Sequence, residues 1–185
     1  MDPKIIIAIV VVALIVIAVV LTMMRKRQGD RLRQQFGPEY EREVREAGGS
    51  RAKAEAELLK REKRVGKLDI RPLDPAQRDA FIADWQQVQA RFVDDPERSI
   101  ALADALVADV MKARGYPVDD FEQRAADISV DHPVLVENYR AAHEIAVRRA
   151  SGQADTEDLR SAFLGYRNLF DELLKSDVPE PAHER

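Results

Sequence analysis

Residues 156–175, TEDLRSAFLGYRNLFDELLK, place Leu159, Phe163, Tyr166, Phe170 and Leu173 at spacings of four, three, four and three. Side chains three and four residues apart share one helical face, whereas a strand alternates at two, so the stripe predicts an amphipathic α-helix. Asp155 or Thr156 supplies its N-terminal cap. Gly165 lies in the middle of the stripe and costs about 1 kcal/mol against alanine in a helix, which predicts a close crossing by another helix there.

The same signs recur toward the N-terminus. Asp131-His132-Pro133 opens a helix carrying Leu135, Tyr139, Ala142 and Ala146, with Ser151-Gly152 as its stop. Asp119 with Glu122 forms a capping box for a short helix bearing Phe121, Ala125 and Ile128. Asp95-Pro96 starts another, with Ile100, Ala103, Leu106, Val107 and Val110 inward and a stop at Gly115 and Pro117. Asp74-Pro75-Ala76-Gln77 starts the first, which buries Phe81, Trp85, Val88 and Phe92. No strand-like alternation occurs. Residues 73–175 are therefore expected to form an antiparallel bundle of four to five helices in an all-α protein. The tail, 176–185, carries Pro179 and Pro181 and is expected to be disordered.

Residues 25–72 read as a charged helical linker beside a membrane. Its helix breaks at Gly37-Pro38, restarts at Glu39, ends at Gly48-Gly49 and resumes after Ser50. Leu58, Leu59, Val65 and Leu68 are too sparse for a coiled-coil seam.

Ahead of the linker, residues 5–24, IIIAIVVVALIVIAVVLTMM, have Thr22 as their only polar member. About 20 apolar residues in a helix match the hydrocarbon thickness of a bilayer, so this segment is expected to cross one as a single transmembrane helix after a short flank, 1–4. A cleaved signal peptide fits less well: Met1-Asp2-Pro3-Lys4 is barely cationic, the run exceeds the usual core of about 7–15 residues, and no A-x-A-like site precedes Arg25. The run has no Gly, so a GxxxG dimerisation motif is absent. Arg25, Lys26, Arg27, Arg31 and Arg33 crowd its C-terminal side, which by the positive-inside rule predicts the N-terminus outside and the C-terminal domain cytoplasmic.

The formal charge of −4 conceals a division. Arg25 to Arg71 holds 15 basic and 9 acidic residues, a net of +6, and Pro72 to Arg185 holds 13 basic and 23 acidic, a net of −10. The basic linker suits contact with anionic lipid, and the acidic bundle is repelled by it. Nucleic-acid binding needs a basic folded face and is not expected.

Catalytic residue types are scarce. His143-Glu144 begins an HExxH-like string, but its fifth residue is Val147, so the second zinc ligand is missing. His132 sits at a helix start and His183 in the tail. Asp94-Asp95 and Asp119-Asp120 occupy helix starts, where carboxylates cap. With no Cys, no nucleophile-elbow Ser and no Gly-rich phosphate loop, neither enzymatic activity nor a cofactor is expected. One constellation stands out: Tyr139-Arg140 with His143, and Tyr166-Arg167, lie on the last two helices. Paired antiparallel, they form either a partner-binding patch or, as is commoner, buried tyrosines with arginines reaching nearby acids.

Phe36-Gly37-Pro38-Glu39-Tyr40, Phe92-Val93-Asp94-Asp95-Pro96, Arg114-Gly115-Tyr116-Pro117, Ser129-Val130-Asp131-His132-Pro133 and Thr156-Glu157-Asp158-Leu159-Arg160 resemble strings in an uncharacterised family of small bacterial proteins with an N-terminal membrane anchor, often labelled secreted or hypothetical. The resemblance implies a bacterial plasma membrane and no activity, cofactor or catalytic residue. The sequence thus leads us to expect a single-pass membrane protein presenting a helical interaction or scaffolding module to a protein partner. An exported or periplasm-facing helical protein is the alternative.

Overall fold

In a computed structural model the described residues are 3–150 and 152–175, with side chains from Val12 onward except that of Ala150. The expected tail, 176–185, and the first two residues of the expected N-terminal flank lie outside them. All regular structure among the described residues is helical: α1 (Pro3–Phe36), α2 (Pro38–Glu46), α3 (Arg51–Val65), α4 (Pro75–Arg91), α5 (Pro96–Arg114), α6 (Phe121–Asp131), α7 (Pro133–Ala150) and α8 (Thr156–Lys175). The chain divides into two compact units, Met1–Leu58 and Leu59–Arg185.

In the first unit, α1 runs unbroken for 34 residues, about 50 Å at the usual helical rise. Gly37, at φ +49°, ends it, and Pro38 starts α2. Near this turn Leu32, Phe36, Tyr40, Ala54 and Leu58 are buried, so α1, α2 and the start of α3 share a small core. The Tyr40 hydroxyl donates to Glu55 Oε1 at 3.0 Å, and Arg33 pairs with Glu41 at 2.9 Å. The upper part of α1 is different. Its apolar side chains from Val12 to Met24 remain 47–63 % exposed where they are large.

Among the described residues no helix is long and apolar enough to cross a membrane. The apolar run begins at Ile5, its side chains through Val11 lie outside the described residues, and a stretch counted from Val12 meets Arg25, Lys26 and Arg27 before reaching the length of about 18–20 residues that a span requires.

The second unit contains the helical bundle. Asp74 and Gln77 form a reciprocal capping box on α4, with Gln77 N donating to Asp74 Oδ1 at 2.8 Å and Asp74 N donating to Gln77 Oε1 at 3.3 Å. Asp95 accepts from Arg98 N at 3.1 Å, and Asp155 accepts from Asp158 N at 2.8 Å. On α6 the cap is one residue later than expected: Asp120, not Asp119, accepts from Gln123 N at 2.8 Å. Glu122 pairs with Arg140 of α7. His132 joins α6 to α7, donating its N–H to Ile128 O at 2.8 Å and accepting from Leu135 N at 3.1 Å. Gly115, at φ +100°, closes α5 where an added Cβ would lie 2.3 Å from Asp69 O, so a side chain is excluded both by conformation and by space.

The core is organised around α8, which packs on both α5 and α7. Arg148 faces Asp158 while Tyr139 faces Tyr166; the numbers fall along α7 as they rise along α8, so the two run antiparallel. Trp85 of α4 stacks on Phe163 and Phe170 of α8, with ring centroids 5.2 and 4.6 Å away. The expected close crossing occurs at Gly165, where an added Cβ would sit 2.8 Å from Asn138 O and 3.1 Å from Ala142 Cβ. Replacing Gly165 with Ala should cost about 1–3 kcal/mol net despite alanine's better helix propensity, because a backbone carbonyl must move. Urea unfolding followed through the single tryptophan, Trp85, measures this; a variant as stable as the parent would contradict the contact.

Candidate functional site

Two groups of described residues bear on function. The first is the basic turn that follows the apolar run. Arg25, Lys26 and Arg27 are exposed on α1, without an ion-pair or hydrogen-bond partner among the described residues. Farther along, Arg31 donates to Gln35 Oε1 at 3.3 Å, and Arg33 reaches Glu41 of α2. Five basic residues close in sequence thus separate into three facing outward and two engaged by neighbouring side chains.

The second group lies among α5, α6, α7 and α8. Tyr139 and Tyr166 are fully buried and meet edge to face, with centroids 5.8 Å apart and planes at 76°. The Tyr139 hydroxyl donates to Asp104 Oδ1 at 3.3 Å, and Arg124 approaches the other oxygen of Asp104 at 3.5 Å. The Tyr166 hydroxyl is buried with no hydrogen-bond partner among the described residues. Burial, reinforced by the Asp104 carboxylate, pushes both phenols well above their ordinary value, so both stay neutral. Arg140 is buried and pairs with the exposed Glu122 at 2.5 Å. His143 stacks flat on Phe121 with centroids 3.5 Å apart, and Arg124 lies 5.8 Å over the same ring. Arg167 stands apart, exposed and 3.6 Å from Asp171 on its own helix.

The structure therefore brings Tyr139, Tyr166, Arg140 and His143 together and leaves Arg167 outside. Their arrangement is that of buried tyrosines flanked by arginines reaching acids. What faces solvent here is the half-buried Phe121–His143 stack and the Glu122 carboxylate.

Two features lay outside the sequence reasoning. Asp127 on α6 is wholly buried, receiving Arg64 Nε at 2.7 Å and Gln123 Nε2 at 3.1 Å. Nothing in the sequence separates Asp127 from the surrounding solvated acids. The other is a groove of about 230 Å³ between α4 and α5, floored by Val88, Leu102 and Leu106 and rimmed by Asp84, Arg91 and Asp109. Among the described residues no group of three or more His, Asp or Glu side chains is placed to hold a metal ion. No family model matches this chain, and neither a curated protein nor a solved structure does.

Replacing Arg64 with Ala should lower stability by about 3–5 kcal/mol, because it strands the Asp127 charge in the interior with only Gln123 as partner. The denaturant midpoint of that variant reads the effect directly. Stability should also depend on the two described histidines. Burial lowers the pKa of His132, with Arg114 adding to the effect and Asp131 and Glu172 opposing it. Burial likewise lowers that of His143, with Arg124 adding and Asp104, Glu122 and Glu144 opposing. The unfolded chain therefore binds these protons more readily, so the contribution is complete above about pH 6.5 and is lost as pH falls toward the folded-state values. His143→Phe keeps a ring on Phe121 and should shrink the loss of stability between about pH 7.5 and pH 5. An unchanged loss would exclude His143 from it.

Proposed function

We propose that this chain is a single-pass membrane protein whose N-terminus lies outside the cell and whose acidic helical bundle is held at the cytoplasmic face as an interaction or scaffolding module. One observation carries the reading. The large apolar side chains of α1 from Val12 to Met24 are half-exposed, and the helix passes without a break into exposed Arg25, Lys26 and Arg27. A soluble protein has no use for such a helix in water, whereas the residues preceding Val12 extend the apolar run to 20 positions, the length of a bilayer span. The cationic flank supports the orientation, since Lys and Arg resist translocation. The resemblance in Phe36–Tyr40, Phe92–Pro96 and the other strings supports a bacterial plasma membrane.

The bundle's role is to meet another protein. Its buried polar groups, among them Arg64 with Asp127 and Tyr139 with Asp104, knit the helices together. Its net charge of −10 from Pro72 onward keeps it from adhering to an anionic leaflet and leaves its surface open to a partner in solution.

The chain contains no cysteine, so Ser161→Cys places a single thiol on an exposed position of α8. An impermeant maleimide should label it only after lysis, and alkaline carbonate should leave the protein in the membrane pellet. Labelling in intact cells would reverse the topology and favour an exported or periplasm-facing bundle. Release by carbonate would remove the anchor.

A further inference from the structure

The five basic residues after the apolar run are not equivalent. We propose that Arg25, Lys26 and Arg27 form a belt that gathers lipids with anionic phosphate headgroups around α1, and that Arg31 and Arg33 take no part in it. This rests on the single-pass reading above.

Depth is the first argument. Because α1 is continuous from Pro3 to Phe36, each residue advances about 1.5 Å along one axis. The Cα atoms of Arg25, Lys26 and Arg27 then lie within about 5 Å of the last apolar residue, Met24, whereas Arg31 and Arg33 lie about 10–14 Å beyond it. The headgroup layer on one side of a bilayer is about 5–7 Å thick, so the first three sit within it and the other two sit at or past its edge.

Availability is the second. Arg25, Lys26 and Arg27 are exposed and have no charged partner among the described residues. Arg33 is held 2.9 Å from Glu41, and Arg31 is bonded to Gln35 at 3.3 Å. Arg33 must break its carboxylate pair to bind a phosphate, and Arg31 its bond to the Gln35 amide; Arg25, Lys26 and Arg27 need break neither.

Shape is the third. Successive helical residues are turned by about 100°, so the three cations spread over about 200° of the circumference. Such a belt does not converge on one point, as a pocket for a single polyphosphorylated headgroup must. It suits several singly charged phosphodiester headgroups side by side, each near-surface Lys or Arg contributing about fivefold to the preference.

Gln28 is exposed on the next turn, and Gln28→Cys gives a single site for a fluorophore on the full chain. The labelled protein is reconstituted in vesicles in which either phosphatidylglycerol or phosphatidylcholine carries a quencher high on the acyl chain at equal mole fraction. Quenching by phosphatidylglycerol should exceed that by phosphatidylcholine at least about threefold, and should diminish in high salt. Free inorganic phosphate at millimolar concentration should not compete. R25Q/K26Q/R27Q should bring the two lipids level, whereas R31Q/R33Q should keep the preference while weakening the contact between α1 and α2. Equal quenching in the parent protein, or loss of preference in R31Q/R33Q, overturns the proposal. Flotation of the same samples separates this failure from that of the anchor: a protein that floats without lipid preference keeps the anchor, and one that stays with the soluble fraction loses both.

Discussion

The bundle depends on how closely α7 can approach α8. With no side chain at Gly165, the Asn138 carbonyl and the Ala142 methyl come to distances that a Cβ would not allow. That approach sets Tyr139 against Tyr166 and turns the remaining stripe of α8, from Phe163 to Phe170, toward α4 and α5. Trp85 can then lie flat on both phenylalanines, and Arg114, at the end of α5, donates to Leu173 O at 2.5 Å and so satisfies a carbonyl in the last turn of α8. Stacked aromatic pairs of this kind add about 0.5–1.5 kcal/mol beyond their buried area. Moving the α7–α8 interface outward would slacken each of these contacts.

The polar interior is built on a different principle. Asp127 and Arg64 are a charge pair whose carboxylate sees no solvent, and such pairs seldom raise stability over a well-packed apolar pair of the same volume. Their effect is on which arrangement of helices is allowed. Moving the end of α3 away would take the Arg64 guanidinium off Asp127 and leave a buried charge with the Gln123 amide alone. Asp104 acts similarly on Tyr139 and Arg124, drawing α5, α6 and α7 to one point. The buried Tyr166 hydroxyl beside them is held in place by aromatic packing and not by a hydrogen bond.

Helices with an acidic cap and a four-three spacing were legible in the sequence because both signs are local. Asp74 caps with Gln77 and Asp95 opens its helix as expected, and of Asp155 and Thr156 it is Asp155 that caps the last helix. Where two acids adjoin, as at Asp119-Asp120, the local pattern fits either, and it is Asp120 that accepts from Gln123 N while Glu122 reaches Arg140 eighteen residues on. Gly165 was legible as a crossing because a glycine inside a helix needs a reason. The fate of the Tyr-Arg motifs was not, since Tyr at helical spacing looks the same whether its ring faces a neighbour or a partner. Burial of Arg61 in the stripe Ala54, Leu58, Arg61, Val65 was also hidden, because arginine breaks an apolar pattern that its stem in fact completes.

The unbroken passage of α1 from its apolar stretch to Phe36 also fixes angles. Arg25, Gly29, Leu32 and Phe36 fall on one side of the cylinder, since seven and eleven residues are close to whole numbers of turns. Leu32 and Phe36 give that side to the small core with α2, so Arg25 points along the same bearing while Lys26 and Arg27 point away from it. The helix is therefore keyed like a shaft: whatever turns its upper end about the axis turns the Tyr40–Glu55 contact region with it. One residue added between Arg27 and Leu32 would swing the two ends about 100° out of phase without altering a single side chain in either.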